Sequence, residues 1–389
     1  MTNSASEFIP VSAPLLSADD EAAVLASVRQ GWISSAGPAI EAFEKCWSQY
    51  CGRQFGVAVS SGTAALQVAL DCLDLQPGDE VILPSLTIMS CALAILRSGA
   101  VPVPVDCTAA NYLIDTAAVA AAITPRTRAI MVVHLFGHPV DMAPIWQLAD
   151  RHGLAVIEDA AQAHGAAYLD TAGTAPRWRR SGGLGDIAIF SFYSNKIITT
   201  GEGGMLLTDD ARIAARARSL RNLGFGASER FRHELPGWNF RMTNMQAALG
   251  VSQFSRLPQI LASKHAIKAR YGSLLQGVDD IVLPVQQPWA QSVCWMYAIV
   301  IAGHVGLDAA ELARRLAQHG IETRPFFLGL HEQPVLRERG LFAGLQLPVT
   351  ESLYRRGLYL PTGIALTPAQ QERVVTVLKA ALGGGVQRE

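Results

Sequence analysis

Residues 190–205 read FSFYSNKIITTGEGGM, and the predictions for the rest of the chain start from this stretch. The apolar run at 187–193 predicts a buried strand, and the apolar residues from Met205 onward predict a strand that returns beside it. Lys196 lies between the two strands, just before a glycine-rich turn at 200–204. Burial at such a position lowers the pKa of a lysine and makes the neutral amine available for Schiff-base chemistry. A lysine at the exposed tip of a loop is the alternative.

Strands and helices alternate in the part of the chain that precedes this stretch. Short apolar runs predict the strands, and amphipathic segments between them predict the helices. The predicted strands cover 55–59, 80–83, 101–105, 129–134 and 154–158. This order is typical of an α/β fold with a mainly parallel sheet and helices on both faces. In such sheets, ligands bind beyond the carboxyl ends of the strands.

Three groups of polar residues lie just past predicted strand ends. Ser61, Gly62 and Thr63 follow the first strand and begin an apolar helix, whose free N–H groups suit a phosphate. Asp159 directly follows the predicted strand at 154–158, and Lys196 follows the predicted strand at 187–193. An ordinary helix cap and a simple salt bridge between aspartate and lysine are the alternatives for these positions.

A phosphate cradle, a carboxylate and a lysine together are what pyridoxal phosphate (PLP) requires. Asp159 would pair with the protonated ring nitrogen. Lys196 would hold the cofactor as an imine and then move the proton during the reaction. The helix start at 61–63 would take the phosphate, with the Ser191 hydroxyl as a further donor. The residues are therefore compatible with a PLP site, and a simple salt bridge between Asp159 and a lysine stays the alternative at this point.

The composition excludes several other classes of protein. The chain has 389 residues, 50% of them hydrophobic and 17% charged, with a net charge of −1. That balance gives no electrostatic reason to expect nucleic acid or a membrane as a partner. The N-terminal residues lack the features of a secretory signal, and no apolar run is long enough to span a bilayer, so we expect a cytoplasmic protein. The six cysteines show neither C-x-x-C pairs nor metal spacing, so no metal is expected.

The length of the chain suits two domains. We expect a large cofactor-binding domain at 1–250 and a smaller C-terminal α/β domain at 251–389.

Segments spread over nearly the whole chain resemble one known family. They read GWISSAGPAIEAFE, SSGTAALQVAL, PSLT, VVHLFGHPVDM, IEDAAQAHGA, FSFYSNKIITTGEGGM, NFRMTNMQAALG and GIETRPFF. These segments are similar to those of the DegT-like nucleotide-sugar aminotransferases, which belong to fold type I of the PLP enzymes. The resemblance implies a PLP-dependent transaminase with that fold.

The resemblance also implies a role for each matched residue. Lys196 would be the Schiff-base lysine, and Asp159 would be the partner of the ring nitrogen. Gln162 would reach the phenolic oxygen of the cofactor. Asn239 would reach a cofactor phosphate across a dimer interface, which implies a homodimer with shared active sites. The residues that would hold the phosphate within one chain are Gly62, Thr63 and Ser191.

Candidates for substrate contact follow from family position, in an early loop and in the second predicted domain. They are Trp32, Ser34, Ser35, Arg324, Phe326, Phe327 and His331. Ile88 stands where the family usually carries an aromatic residue that stacks on the pyridine ring, and an aliphatic side chain can still cover that ring. We interpret His134, His138 and His164 as packing or cofactor-shell residues, because Lys196 can carry the proton transfers.

The resemblance implies that L-glutamate gives its amino group to the cofactor. The cofactor becomes pyridoxamine phosphate (PMP) and passes the group to a keto sugar nucleotide. The segments SNKIITTGEGGM, GHPVDM, RMTN and IETRPFF are most similar to members that act on the 4-keto-6-deoxy sugar nucleotide GDP-4-keto-6-deoxymannose. The alternatives are a UDP- or dTDP-linked keto sugar aminated at C3 or C4, a keto-cyclitol, and a non-enzymatic regulator with the same fold.

The segment at 169–185 departs from the family, since it is longer than the usual turn before the lysine strand. It contains Arg177-Trp178-Arg179-Arg180. One interpretation is a solvated surface loop. The other is that three arginines and a tryptophan cover the pocket mouth, where they would bind a diphosphate and stack on a base or sugar.

Overall fold

The computed structural model describes residues 8–226 and 231–383. The strands in chain order are β1 (Phe55–Val59), β2 (Glu80–Pro84), β3 (Val101–Val105), β4 (Thr127–Val133), β5 (Ala155–Asp159), β6 (Ala167–Asp170), β7 (Arg177–Arg180), β8 (Ile187–Ser191), β9 (Gly204–Thr208), β10 (Ile281–Val282), β11 (Ala290–Gln291), β12 (Tyr297–Ile301), β13 (Arg324–Pro325) and β14 (Gly357–Leu360). The helices are α1 (Ala18–Arg29), α2 (Pro38–Tyr50), α3 (Gly62–Asp71), α4 (Met89–Arg97), α5 (Thr116–Ala122), α6 (Met142–His152), α7 (Ala211–Leu220), α8 (Asn244–Ser255), α9 (Leu257–Leu274), α10 (Ala309–Ala317), α11 (Pro334–Arg337), α12 (Pro348–Arg356) and α13 (Pro368–Gly383).

Seven strands form the central sheet, in the order β1-β9-β8-β5-β4-β2-β3. The neighbours from β8 to β3 run parallel, whereas β9 is antiparallel to both β8 and β1. The strand predicted to return from Met205 onward is therefore confirmed. Alternate residues of a strand enter two separate apolar cores, as Ile130 and Val132 do on one face and Met131 and Val133 on the other. Helices cover both faces, so the predicted α/β class with a mainly parallel sheet is confirmed.

A smaller antiparallel sheet follows, in the order β10-β12-β14-β13. It has an apolar core of its own, to which α9, α10 and α13 contribute Ile267, Leu312 and Leu378. This is the smaller C-terminal part that the sequence predicts. The division of the chain at residue 250 stays a prediction, and that residue lies inside α8.

Residues 8–11 join this C-terminal part rather than the central sheet. Ile9 forms a parallel bridge with Ile321. Its N–H donates to the Gly320 carbonyl at 2.8 Å, and the Val11 carbonyl accepts the N–H of Thr362 at 2.8 Å. The beginning and the end of the described chain are therefore parts of one packed unit.

A third sheet of three short strands has the order β11-β6-β7. Its strand β7 consists of the arginine-rich residues 177–180, which the sequence did not predict to be a strand. The strands predicted before and at the lysine stretch agree with the observed bounds to within a few residues. No helix in the described ranges combines the length and apolar character needed to cross a bilayer.

The topology brings three strand ends to one edge of the central sheet. In the parallel pair of β5 and β8, Asp159 is in register with Ile189, two residues before the end of β8 at Ser191. Strand β1 runs parallel to β8 because each is antiparallel to β9, so its end lies at the same edge. The first residue of α3, Gly62, follows that end within three residues.

Candidate active site

The loop between β8 and β9 carries Lys196 and is closed by hydrogen bonds within itself. The Phe192 N–H donates to the Gly203 carbonyl at 2.8 Å, and the Thr200 N–H donates to the Phe192 carbonyl at 2.9 Å. The Thr199 hydroxyl donates to the same carbonyl at 3.0 Å. These bonds prolong the β8–β9 pairing, so Lys196 projects from a fixed backbone.

A cavity of about 280 Å³ lies beside Lys196, at the carboxyl ends of β5 and β8. Its walls come from the central sheet, from the start of α3 and from the C-terminal part. All residues predicted to bind the cofactor within one chain line it, namely Ser61, Gly62, Thr63, Ile88, Asp159, Gln162, Ser191 and Lys196. The structure therefore brings together in space the residues that the sequence placed at separate strand ends.

Two glycines allow the backbone around the start of α3 to pack closely. A Cβ at Gly62 would lie 2.7 Å from the Ser191 Cβ, and a Cβ at Gly204 would lie 2.2 Å from the Ser61 carbonyl oxygen. The Ser61 hydroxyl caps the helix by accepting the N–H of Ala64 at 3.1 Å. Because the first N–H groups of a helix have no acceptor within it, Gly62 and Thr63 present donors at the cavity wall. This is a suitable place for a phosphate.

Lys196 keeps some of its surface open to the cavity. Burial of the ammonium group lowers its pKa to about 8, while the charge of Asp159 acts in the opposite direction. The nitrogen lies 4.1 Å from the centroid of the Trp295 ring. A lysine with this pKa has a substantial neutral fraction near neutral pH, as an amine that attacks a carbonyl group requires.

Asp159 is a buried carboxylate at the end of β5. One oxygen accepts the Ala161 N–H at 3.0 Å, and the other accepts the Cys91 thiol at 3.3 Å. Burial raises the pKa of Asp159, while these two bonds and the charge of Lys196 lower it. A cationic donor in the cavity would stabilise the ionised carboxylate.

Two further walls of the cavity come from Gln162 and Ile88. The Gln162 side-chain oxygen accepts the Phe136 N–H at 2.6 Å, which fixes the orientation of the amide. Ile88 is 43% exposed and precedes α4, so an aliphatic side chain occupies the position at which the family has an aromatic ring.

Several residues that line the cavity were not predicted from the sequence. Trp295 and Tyr359 reach the cavity from the C-terminal sheet, and Tyr193, Asn195 and Glu202 reach it from the loop around Lys196. The three loop residues lie in the stretch FSFYSNKIITTGEGGM, so proximity to Lys196 was a usable signal for them. No local pattern marks Trp295 or Tyr359, because their place depends on how the two sheets pack.

Among the predicted substrate residues, Phe327 lines this cavity. Trp32 and Ser34 are exposed in the loop before α2, and Ser35 lines a separate cavity of about 370 Å³ with Arg218, Arg221 and Arg241. The roles of these residues in substrate binding stay predictions.

The other three predicted substrate residues lie outside the cavity in the single chain. Arg324 is exposed and forms an ion pair with Glu322 at 2.7 Å. Phe326 is buried in the core, with its ring centroid 4.7 Å from that of Phe136. His331 is fully buried and shares a hydrogen bond of 2.8 Å with the Ser85 hydroxyl.

Asn239, predicted to act across a dimer interface, is likewise outside the cavity of its own chain. It is exposed and forms an antiparallel bridge with Asn222. An exposed position is compatible with a contact to a second copy of the chain.

The arginines of β7 contact residues of β6, α6 and α2, and none of them lines the cavity. Arg179 forms an ion pair with Asp170 at 3.2 Å, and its guanidinium lies 5.3 Å from the centroid of the Trp146 ring. Arg180 lies 5.2 Å from the centroid of the Tyr50 ring. Within one chain, the hypothesis that this segment covers the mouth of the Lys196 cavity receives no support.

Three histidines near the site are buried. The ring of His134 shares a hydrogen bond of 2.9 Å with Glu158 and accepts the Val140 N–H at 3.1 Å. Burial lowers the pKa of His138 to about 4 and the pKa of His164 to about 3. None of the three lines the cavity, as expected for packing residues.

Comparison with known proteins identifies the family. Residues 14–379 match the DegT/DnrJ/EryC1/StrS aminotransferase family. The chain belongs to this family. It is a PLP-dependent sugar-nucleotide aminotransferase with the fold of type I aminotransferases.

Individual relatives are similar over most of the chain. GDP-perosamine synthase of Caulobacter vibrioides is 40% identical over 375 residues, which cover 96% of this chain and 98% of the relative. The dTDP-3-amino-3,4,6-trideoxy-alpha-D-glucose transaminase of Streptomyces venezuelae is 39% identical over 345 residues, with 88% and 87% covered.

Solved structures agree in fold and show the cofactor. The sugar aminotransferase Spr1654 of Streptococcus pneumoniae, in its PLP form, is 25% identical, with a TM-score of 0.90 over 98% of this chain and 100% of that one. Its PMP form has a TM-score of 0.88. Both states of the cofactor therefore occur within this fold.

The cavity of the present chain fits PLP. The free N–H groups at the start of α3 suit its phosphate, and the buried Asp159 carboxylate, which has a thiol and an N–H as donors, suits its protonated ring nitrogen. Lys196 lies in the same cavity, with a lowered pKa.

Proposed function

We propose that the chain transfers the amino group of L-glutamate to C4 of a 4-keto-6-deoxy sugar nucleotide, and that GDP-4-keto-6-deoxymannose is its substrate. The observation that carries the reaction class is the shared cavity of Lys196, Asp159 and the start of α3. The choice of sugar is supported by the 40% identity to a GDP-perosamine synthase over 96% of the chain.

In this proposal each residue of the cavity has one task. Bound PLP supplies an electron sink for the electrons of a broken C–H bond. Lys196 attaches the cofactor and, once released from it, takes and returns the proton at the reacting carbon. Asp159 keeps the ring nitrogen protonated. Gln162 donates its amide N–H towards the phenolic oxygen, since its carbonyl oxygen is already held by the Phe136 N–H.

The phosphate is held, in this proposal, by the backbone N–H groups of Gly62 and Thr63 and by the Ser191 hydroxyl. Ile88 covers one face of the pyridine ring by apolar contact. The proposed substrate contacts are Trp32 and Ser34 in the loop before α2, and Arg324, Phe326 and His331 in the C-terminal part. None of these five residues lines the cavity of one chain, so their roles stay predictions.

We also propose a homodimer in which Asn239 completes the phosphate site of the partner. Support comes from an exposed apolar surface on α1 and the loop after it. The residues of this surface are Leu25, Val28, Trp32 and Ile33. Exposed apolar patches of this kind mark interaction surfaces. The same surface is continuous with the loop that carries Ser34, whose carbonyl accepts the Asn244 N–H at 2.6 Å.

The first half of the reaction is tested with L-glutamate alone. The absorbance band of lysine-bound PLP should convert to that of PMP, with release of 2-oxoglutarate. If the band does not change with glutamate or with other amino donors, the regulator is the better account.

The second half is tested by offering the PMP form a panel of keto sugar nucleotides. We expect turnover of GDP-4-keto-6-deoxymannose, and NMR of the product should place the amine at C4. A second candidate is a 3-keto dTDP sugar, which the 39% identity to a dTDP-3-amino sugar transaminase favours. Turnover of 3-keto substrates alone would reject the proposed sugar and leave the reaction class standing.

A further inference from the structure

Trp295 joins the C-terminal part of the chain to the loop that carries Lys196. It lies two residues before β12 and is 3% exposed. Its ring centroid is 4.1 Å from the Lys196 nitrogen. Its indole N–H donates to the carbonyl of Asn195 at 2.8 Å. One side chain therefore contacts both the amine and the backbone of the preceding residue.

The face of an aromatic ring attracts an ammonium ion and has no such attraction for the neutral amine. The position of the Lys196 nitrogen over the ring therefore gives the free, protonated lysine a defined place. The other ionisable groups that line the cavity are Asp159 from β5, Tyr193 and Glu202 from the lysine loop, and Tyr359 from β14. His164, which follows β5, does not line the cavity but interacts electrostatically with Lys196. Of these, Asp159 is the one whose charge acts on the lysine from a buried position.

Trp295 is itself held by a buried lysine. Lys264 on α9 is 3% exposed, and its ammonium donates to the carbonyl of Trp295 at 2.7 Å and to that of Thr362 at 2.6 Å. The Trp295 N–H donates to the Phe136 carbonyl at 3.0 Å. The backbone of Trp295 is thus fixed both by an ammonium group from α9 and by the turn after β4.

We propose that Trp295 is a positioning residue for Lys196, which holds the lysine amine whenever it is not bonded to the cofactor, and that Lys264 keeps Trp295 in place. The inference rests on the proposed role of Lys196 as the residue that binds PLP. It extends the active site to two side chains of the C-terminal part.

The test measures how fast the full-length chain, stripped of cofactor, binds PLP covalently at different pH values. The neutral amine of Lys196 adds to the aldehyde and one water leaves, so the rate rises with pH until the amine is fully deprotonated. The titrations of free PLP are common to all variants and cancel when their profiles are compared.

Two substitutions separate the ring from its N–H. Trp295→Phe keeps an aromatic face and loses the indole donor, whereas Trp295→Leu loses both. We expect the apparent pKa of loading to be lower in Trp295→Leu than in Trp295→Phe by about 0.4 to 1.5 units. An equal or higher pKa in Trp295→Leu would mean that the ring acts only by excluding water, and would overturn the proposal.

The role of Lys264 is tested in a double-mutant cycle. Lys264→Met should lower the apparent pKa of loading when Trp295 is present, and should not lower it in the Trp295→Leu background. An equal effect in both backgrounds would contradict an action through Trp295. Lys268→Met is the matched control, because Lys268 lies one turn further along α9 and bonds to Gln286 instead.

Far-UV circular dichroism and thermal unfolding check that each variant folds. If Trp295→Leu does not fold, Trp295→Met provides a second variant without a ring, and the same comparison with Trp295→Phe decides. Normal loading together with a lack of amino transfer to every keto sugar would reject the proposed function and leave this inference intact.

Discussion

Lys196 shows how a buried position changes the chemistry of one residue. Burial lowers its pKa to about 8, so a much larger fraction of its amine is neutral near neutral pH than in a lysine with the ordinary value. The loop hydrogen bonds around Phe192 hold the backbone that carries it. Because of its burial and its fixed backbone, Lys196 can act as a nucleophile near neutral pH. A lysine in an exposed loop would be almost entirely protonated and would have no fixed position.

The simplest residue-scale prediction is that Lys196→Ala loses turnover. We expect a fall of about 10²- to 10⁴-fold or more, because both the attachment of PLP and the proton transfer are lost. Mass spectrometry after borohydride reduction should find no covalently bound PLP in this variant. Lys45→Ala, at an exposed position on α2, is the control that should keep normal activity. Near-normal turnover of Lys196→Ala would contradict the mechanism.

The burial of Lys264 leads to a prediction of how the free energy of unfolding changes with pH. Burial lowers its pKa to about 8, so the folded chain binds this proton less tightly than the unfolded chain does. The folded state is therefore stabilised as pH rises from about 8 towards 10.5 and loses this contribution as pH falls through the folded value. The free energy of unfolding of the wild type, relative to Lys264→Met, should rise by ~3 kcal/mol over that range.

Urea unfolding at the two ends of this pH range measures the difference. The comparison with Lys264→Met removes the contribution of every other titrating group. A difference that does not change with pH would mean that Lys264 has an ordinary pKa in the folded chain.

At the scale of elements, Glu158 connects β5 to the segment before β8. Its carboxylate accepts the N–H groups of Leu184 at 2.7 Å and of Gly185 at 3.0 Å, and it also accepts from Gly182 and His134. Burial raises the pKa of Glu158, but the bonds from His134 and the backbone outweigh it and lower the pKa overall. One buried charge thus sets the position of the chain that enters β8.

Replacing this carboxylate by an amide should destabilise the protein. Glu158→Gln keeps the shape but turns one acceptor into a donor that faces backbone N–H groups, at a cost of about 2–4 kcal/mol. Thermal unfolding at neutral pH measures the loss. The matched control is Glu338→Gln at an exposed position, for which we expect no measurable change. If Glu158→Gln is as stable as Glu338→Gln, the backbone N–H groups before β8 must find other acceptors.

The elements of the central sheet could be predicted because their signals are local. Residues 129–133, for example, are all apolar, as in a strand covered on both faces, and the glycines and capping residues between such runs mark the turns. Strand β7 gave no such signal, since Arg177-Trp178-Arg179-Arg180 has no apolar alternation. Its sheet includes β11, more than 100 residues away in sequence, and no local pattern contains such a pairing.

The same distinction explains which site residues could be predicted. Asp159, Lys196 and the start of α3 lie just past predicted strand ends, where the fold class itself predicts a ligand. Trp295 reaches the cavity through packing between two sheets, which the sequence does not display. Phe326 and Phe327 are neighbours in sequence, but only Phe327 lines the cavity. Phe326 packs inward against Gly357, where a Cβ atom would lie only 2.3 Å from the Phe326 ring.

At the scale of the whole molecule, the proposed dimer has a direct test. A chain with Lys196→Ala still offers Asn239, and a chain with Asn239→Ala still offers Lys196. Co-expression of the two should produce mixed dimers with one complete site each. Half of the dimers would be mixed, so about a quarter of the wild-type activity should return when PLP is limiting.

Sedimentation velocity should show the dimer in each preparation. Each variant expressed alone is the control and should be less active than the mixture. If the mixture is no more active than the average of the two variants, Asn239 serves its own chain or has no role in the site.

The bridge between Ile9 and Ile321 has a consequence for the synthesis of the protein. Residues 8–11 are made before the backbone groups they bond to, which lie more than 300 residues later in the chain. At the usual rate of about 5–20 residues per second, this segment waits for roughly 15 to 60 s without its partner. The central sheet can assemble during that interval, whereas the C-terminal core can close only after α13, which contributes Leu378 to it, has been made.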